Sequence, residues 1–106
     1  MKTPSATDFT LPLPEVGDFV FARRTVGDMI KIRSAYLKLI GGDEGDDELE
    51  FFCGFAAAYQ ILIVSCPAGW EDVSAIDLNS VGVNKVMELA RLLSDKEDSF
   101  RPVAIG

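Results

Sequence analysis

The stretch from Phe51 to Val64 carries no charged residue, and Gln60 is its one strongly polar side chain. No other feature restricts the fold so tightly. Phe51, Phe52, Phe55, Ala56, Ala57, Ala58, Tyr59, Ile61, Leu62, Ile63 and Val64 predict a helix over roughly residues 47–65 that is apolar nearly all round. Such a helix lies at the centre of its domain or is covered in an oligomer. It is too short to cross a bilayer. Pro67 breaks it, because proline lacks the backbone donor and disfavours helical geometry in the residue before it. At the other end, Asp46 or Asp47 is placed to cap it. The acidic run Asp43-Glu44-Gly45-Asp46-Asp47-Glu48 suits the positive helix terminus.

The rest of the chain arranges itself around this element. Phe9, Leu11 and Leu13 alternate with Thr10 and Pro12 in a strand pattern, and Pro12 confines that strand to a sheet edge. A turn over residues 14–18 leads to a second strand with Phe19 and Phe21 on one face, completing a hairpin. The hairpin is marginal alone, so its aromatic face needs a layer to pack on. Thr25 and Asp28 mark the start of a helix that Gly41-Gly42 ends near Ile40. Met29, Ile32 or Arg33, Tyr36 and Ile40 form its stripe, widened by Ile30, Leu37 and Leu39. A third helix is expected at about residues 80–98, capped from Asp77-Leu78-Asn79-Ser80. Its stripe is Val83, Val86 or Met87, Ala90 and Leu93, with Leu89 and Leu92 beside it, and Arg91 and Asp95 are an i,i+4 pair on its wet side.

The fold class is therefore mainly α (α+β): a short N-terminal β-hairpin followed by three helices, the second central and apolar. A length of 106 residues suits one domain. Residues 9–101 form it, with a flexible N-terminus at 1–8 and a C-terminal tail at 102–106.

Charge and residue usage narrow the function. The net charge is -7, with residues 1–40 at +2 and residues 41–106 at -9. Nucleic acid is a poor partner for so acidic a chain. The asymmetry either orients neighbouring copies or a partner, or is a solvated acidic surface. There is no histidine, which removes the commonest general base and transition-metal ligand. The carboxylates at 43–50 lack the order that wraps calcium in an EF-hand. Cys53 and Cys66, read as lying on one helix about 20 Å apart, cannot bridge. Free, buried thiols suit a reducing compartment, and the first residues lack a signal-peptide core. No catalytic residues, metal or cofactor are expected, and binding another protein is the favoured mode of action.

The candidate binding residues are aromatic and basic. Phe51, Phe52, Phe55 and Tyr59 cluster on one broad side of the second helix and are either core or an apolar surface for a partner. Trp70, delivered by the turn Pro67-Ala68-Gly69-Trp70, either plugs the core or anchors an interface. Arg23 and Arg24 either pair with an acidic patch on a partner or second copy, or stay solvated.

Several features recur together in a recognisable order: Phe9-Thr10-Leu11-Pro12-Leu13-Pro14, then Gly17-Asp18-Phe19-Val20-Phe21, then Arg23-Arg24-Thr25 with Asp28 before a helix carrying Ile32, Tyr36 and Leu39. Cys66-Pro67-Ala68-Gly69-Trp70 closes the apolar helix, and Lys96-Glu97-Asp98-Ser99-Phe100-Arg101 ends the last one. The set, spanning about residues 9–101, resembles the tail assembly chaperones of long-tailed bacteriophages and prophages. It departs from their pattern at Cys66 and in the glycine- and acid-rich first interhelical loop. The resemblance implies binding of the tape-measure protein, a long apolar helical chain, so that it stays soluble until tail-tube protein polymerises around it. It further implies possible homo-oligomers and the cytoplasm of the bacterial host. The alternative is a structural or adaptor protein of a phage tail or related contractile machine.

Overall fold

Strand β1 (Phe9–Leu13) and strand β2 (Gly17–Phe21) form the hairpin in a computed structural model of the chain, which describes residues 1–42 and 45–101. Asp43, Glu44 and the tail at 102–106 lie outside the described residues. Phe9 stands opposite Phe21, and Leu11 opposite Phe19. Phe9, Leu11, Leu13, Phe19 and Phe21 are all buried on one face while Thr10 and Pro12 are exposed, as strand alternation requires. Gly17 has φ 141, and a Cβ there would sit 3.0 Å from Pro67 Cγ. Glycine is needed for both reasons.

Three helices follow: α1 (Val26–Ile40), α2 (Asp47–Leu62) and α3 (Val83–Ser99). Their ends follow local chemistry. Thr25 and Asp28 form a reciprocal capping box at α1, and Gly41 closes it in the left-handed conformation. Asp46, rather than Asp47, caps α2, its Oδ1 accepting from Glu48 N and Leu49 N. At α3 the expected start is displaced. Asp77 and Ser80 hydrogen-bond within a turn, and the helix begins only at Val83 after Gly82, which supplies no side-chain cap.

The apolar run does not stay helical to its end. α2 stops at Leu62, and Ile63–Ser65 forms strand β3, antiparallel to β2, so the sheet order is β1-β2-β3. Two β-branched residues ahead of Pro67 favour extended backbone, and pairing with β2 supplies hydrogen bonds the helix would have lost. Cys66 consequently lies beyond the helix; it is half-buried, Cys53 is buried, and both thiols are free.

One core joins the buried face of the sheet to α2 and α3. From α3 it takes Val86, Leu89, Ala90 and Leu93; Met87 points outward. Lys85 Nζ donates to Pro14 O at 2.8 Å, tying the start of α3 to the hairpin turn. Arg91 and Asp95 form no ion pair; within α3 Lys85 pairs with Glu88, and Asp98 pairs with Arg101 just beyond the helix end. On α1, which packs against α2, only Asp28, Ile32 and Ile40 are buried. Ile30, Leu37 and Leu39, expected to widen the core stripe, are exposed, because the sheet and α3 lie elsewhere around α2.

The start of the chain, expected to be flexible, is tied at Lys2. Its N–H donates to Ile63 O at 2.8 Å, and its ammonium lies 2.8 Å from Asp28 Oδ1. Asp28 is buried, which pushes its carboxyl pKa up. Hydrogen bonds from Lys2 and Thr25, with the Lys2 charge, outweigh that and hold it below the usual carboxylate value. A lowered folded-state pKa adds stability that is present above the ordinary carboxylate range and lost as pH falls through the folded value. Asp28→Asn is expected to lower stability to urea at neutral pH by about 1–2 kcal/mol. It should also weaken the loss of stability seen on acidifying below about pH 4. An acid limb as steep as that of wild type would rule out this role for Asp28.

Candidate functional site

The aromatic cluster read from the sequence divides between core and surface. Phe55 is 8%, Tyr59 1% and Trp70 5% exposed. Tyr59 packs edge-on to Phe19, Phe21 and Phe55, and its hydroxyl donates to the carbonyl of Trp70. Burial, with the neighbouring Cys66 and Glu71, pushes its phenol well above the ordinary range. Trp70 meets Phe19 at 5.2 Å between ring centroids. Tyr59 and Trp70 are core, not a partner surface; Phe55 is also buried, and only its edge reaches a groove between α1 and α3. The hairpin and the Pro67 turn cover the C-terminal half of α2, where Tyr59 lies. Phe52 is half-buried, and Phe51, near the free N-terminal end of α2, is 43% exposed with its ring edge-on to Phe52.

Arg23 and Arg24 are engaged inside the chain. Arg24 grips Glu97 of α3 with two parallel bonds, Nε to Oε2 at 3.0 Å and Nη2 to Oε1 at 2.9 Å, a geometry that fixes orientation as well as charge. The Arg23 guanidinium lies 4.0 Å from the centroid of Phe100, which in turn meets Phe9. The pair thus fastens the end of α3 to the segment between β2 and α1.

Above this latch lies a solvent-open groove of about 880 Å³ between α1 and α3. Met29, Ile32 and Tyr36 of α1 form one wall, and Ala90, Leu93 and Glu97 of α3 the other. The floor is α2, through Gly54, Phe55 and Ala58. A Cβ added at Gly54 would meet nothing within 4 Å, so the floor is lowest there. Of the expected site residues, Arg23, Arg24 and Phe55 border this groove, whereas Phe51, Phe52, Tyr59 and Trp70 do not. Sequence reading placed Met29 and Tyr36 in the core stripe and passed over Gly54. The available signal was the glycine itself. In a helix interior glycine is less stable than alanine by about 0.5–1 kcal/mol, which suits a place where something approaches the backbone closely.

Chemically the groove offers apolar contact and a few charged rims. Among the described residues, no three His, Cys, Asp or Glu side chains gather where they could hold a metal ion.

Substitution separates core from surface directly. Trp70→Ala should destabilise the protein by about 3–5 kcal/mol in thermal or urea unfolding. Phe51→Asp should change stability by less than about 1 kcal/mol. Equal losses for the two would contradict the division drawn here. No family model, curated protein or solved structure matches the chain.

Proposed function

We propose that this chain is a tail assembly chaperone of a long-tailed bacteriophage or prophage, holding apolar helical stretches of the tape-measure protein until tail-tube protein polymerises around them. The observation that carries the reading is the groove between α1 and α3, with its small-residue floor at Gly54 and Ala58. An amphipathic helix recognises such a surface by laying apolar anchors at i, i+3/i+4 and i+7 into it. Gly54 and Ala58 are one turn apart, so they let the backbone of a docked helix come close along a line rather than at a point. The ordered motifs from Phe9 to Arg101 supply the identity of the partner.

The action is holding rather than catalysis, and it uses no cofactor. Each contact is modest, and several copies along one long client gain by avidity. A net charge of -7 per copy keeps the coated client dispersed and argues against nucleic acid as a partner. Among the described residues no helix is long and apolar enough to cross a membrane, which fits work in the cytoplasm of the bacterial host.

Gly54→Leu tests the groove without attacking the core. The new side chain enters open space, so stability should be unchanged or higher by up to about 1 kcal/mol. Capture of tape-measure protein by the purified variant should fall about tenfold or more. Undiminished capture by a folded variant would remove the groove from the mechanism. Purified phage particles should lack the chain, since a chaperone leaves; its presence there would favour a structural or adaptor role instead.

A further inference from the structure

The groove between α1 and α3 differs in charge from the chain that carries it. Arg23, Arg24, Arg33 and Arg101 line it, against two carboxylates, Glu97 and Asp98. Both carboxylates are already taken. Glu97 accepts the two parallel bonds from Arg24, and Asp98 lies 3.4 Å from Arg101 Nε. Arg23 and Arg33 remain. Both are exposed, and among the described residues neither forms an ion pair. The chain has a net charge of -7, yet its groove holds two cations without a counter-charge.

Their placement is specific. Arg23 lies 4.0 Å from the centroid of Phe100, and Arg33 lies 5.3 Å from that of Tyr36. Both rings also line the groove, and Lys96 stands 5.8 Å from Phe100, adding positive charge at the same end. A ring face attracts the flat side of a guanidinium and holds it in place. The N–H donors lie in the guanidinium plane, so they stay available to an incoming acceptor, and a carboxylate matches them two at a time. The surface between them is apolar at Met29, Ile32, Phe55 and Leu93.

We propose that the helix this groove accepts is acidic, with an apolar stripe bordered by aspartate or glutamate side chains that meet Arg23 and Arg33. The proposal rests on the groove being where an apolar helix docks, and it adds the charge by which that helix is selected. A neutral helix would take water from the guanidinium edges and return no hydrogen bond. A basic helix would meet like charge. The carboxylates that dominate the rest of the chain repel an acidic helix, which keeps it from settling outside the groove. Affinity then comes from the apolar floor, and the choice of client and of place from the two arginines.

The test is fluorescence anisotropy with three labelled synthetic peptides of about 20 residues, long enough to hold a helix. They share one stripe of leucine and alanine and differ at the flanking positions, which are Glu, Gln or Lys. Wild type should bind the Glu peptide about tenfold more tightly than the Gln peptide, and the Lys peptide least. Arg33→Glu should bind the Glu peptide about tenfold more weakly than wild type does and the Lys peptide more tightly. Position 33 is exposed, so the variant should fold, which circular dichroism checks; Arg33→Gln repeats the test with a smaller change of charge. Gly54→Leu should weaken all three peptides alike, because it alters the groove and not its charge. Equal binding of the three peptides, or a preference for the Lys peptide, overturns the acidic-client proposal and leaves the groove standing as long as Gly54→Leu still weakens them. A wild-type preference retained in Arg33→Glu overturns it too. Binding that Gly54→Leu does not touch overturns both.

Discussion

Tyr59 is the residue on which the architecture depends. Its ring is enclosed by Phe19 and Phe21 of the sheet and Phe55 of its own helix. Its hydroxyl reaches the backbone of Trp70. One side chain thereby joins hairpin, central helix and the turn that follows it. The buried hydroxyl needs its acceptor, because a polar group sealed from water without a partner is destabilising by about 1–3 kcal/mol. Trp70 is held in place by the same bond and fills the space against Phe19. The aromatic content of this small domain is thus concentrated in making one core.

A consequence follows for the rest of α2. The sheet has strands of five, five and three residues, and it covers only part of the central helix. The remaining sides are left to α1 and α3, which flank α2 with a groove between them. The latch of Arg23 and Arg24 onto Phe100 and Glu97 anchors the far end of α3. An all-round apolar helix with incomplete cover therefore accounts for both the groove and the exposed Phe51 from a single cause.

Much of the fold was legible because it is locally encoded. Thr25 with Asp28, Asp46 and Gly41 act within a few residues of themselves, and each sits at the helix end where its chemistry places it. The alternation from Phe9 to Leu13 and the proline at an edge position are equally local. The extent of α2 was less legible. Ile63 and Val64 continue the apolar run, yet they join the sheet, since β2 offers them hydrogen bonds that no short-range pattern announces. For the site, the sequence identified a surplus of apolar side chains without locating it. Tyr59 and Trp70 looked as available to a partner as Phe51 did, and Met29 looked like core.

The sequence by itself determined where α1 and α2 start, where chain reversals fall, and that one helix carries no polar face. These follow from backbone geometry, capping and proline chemistry over distances of a few residues. Tertiary structure alone decided which apolar surface is covered. Burial of a side chain depends on what lies across from it, and the partners of Tyr59 are Phe19 and Phe21, about forty residues earlier in the chain. The same long-range packing turned Ile30 and Leu37 to solvent and left Gly54 at the floor of a groove.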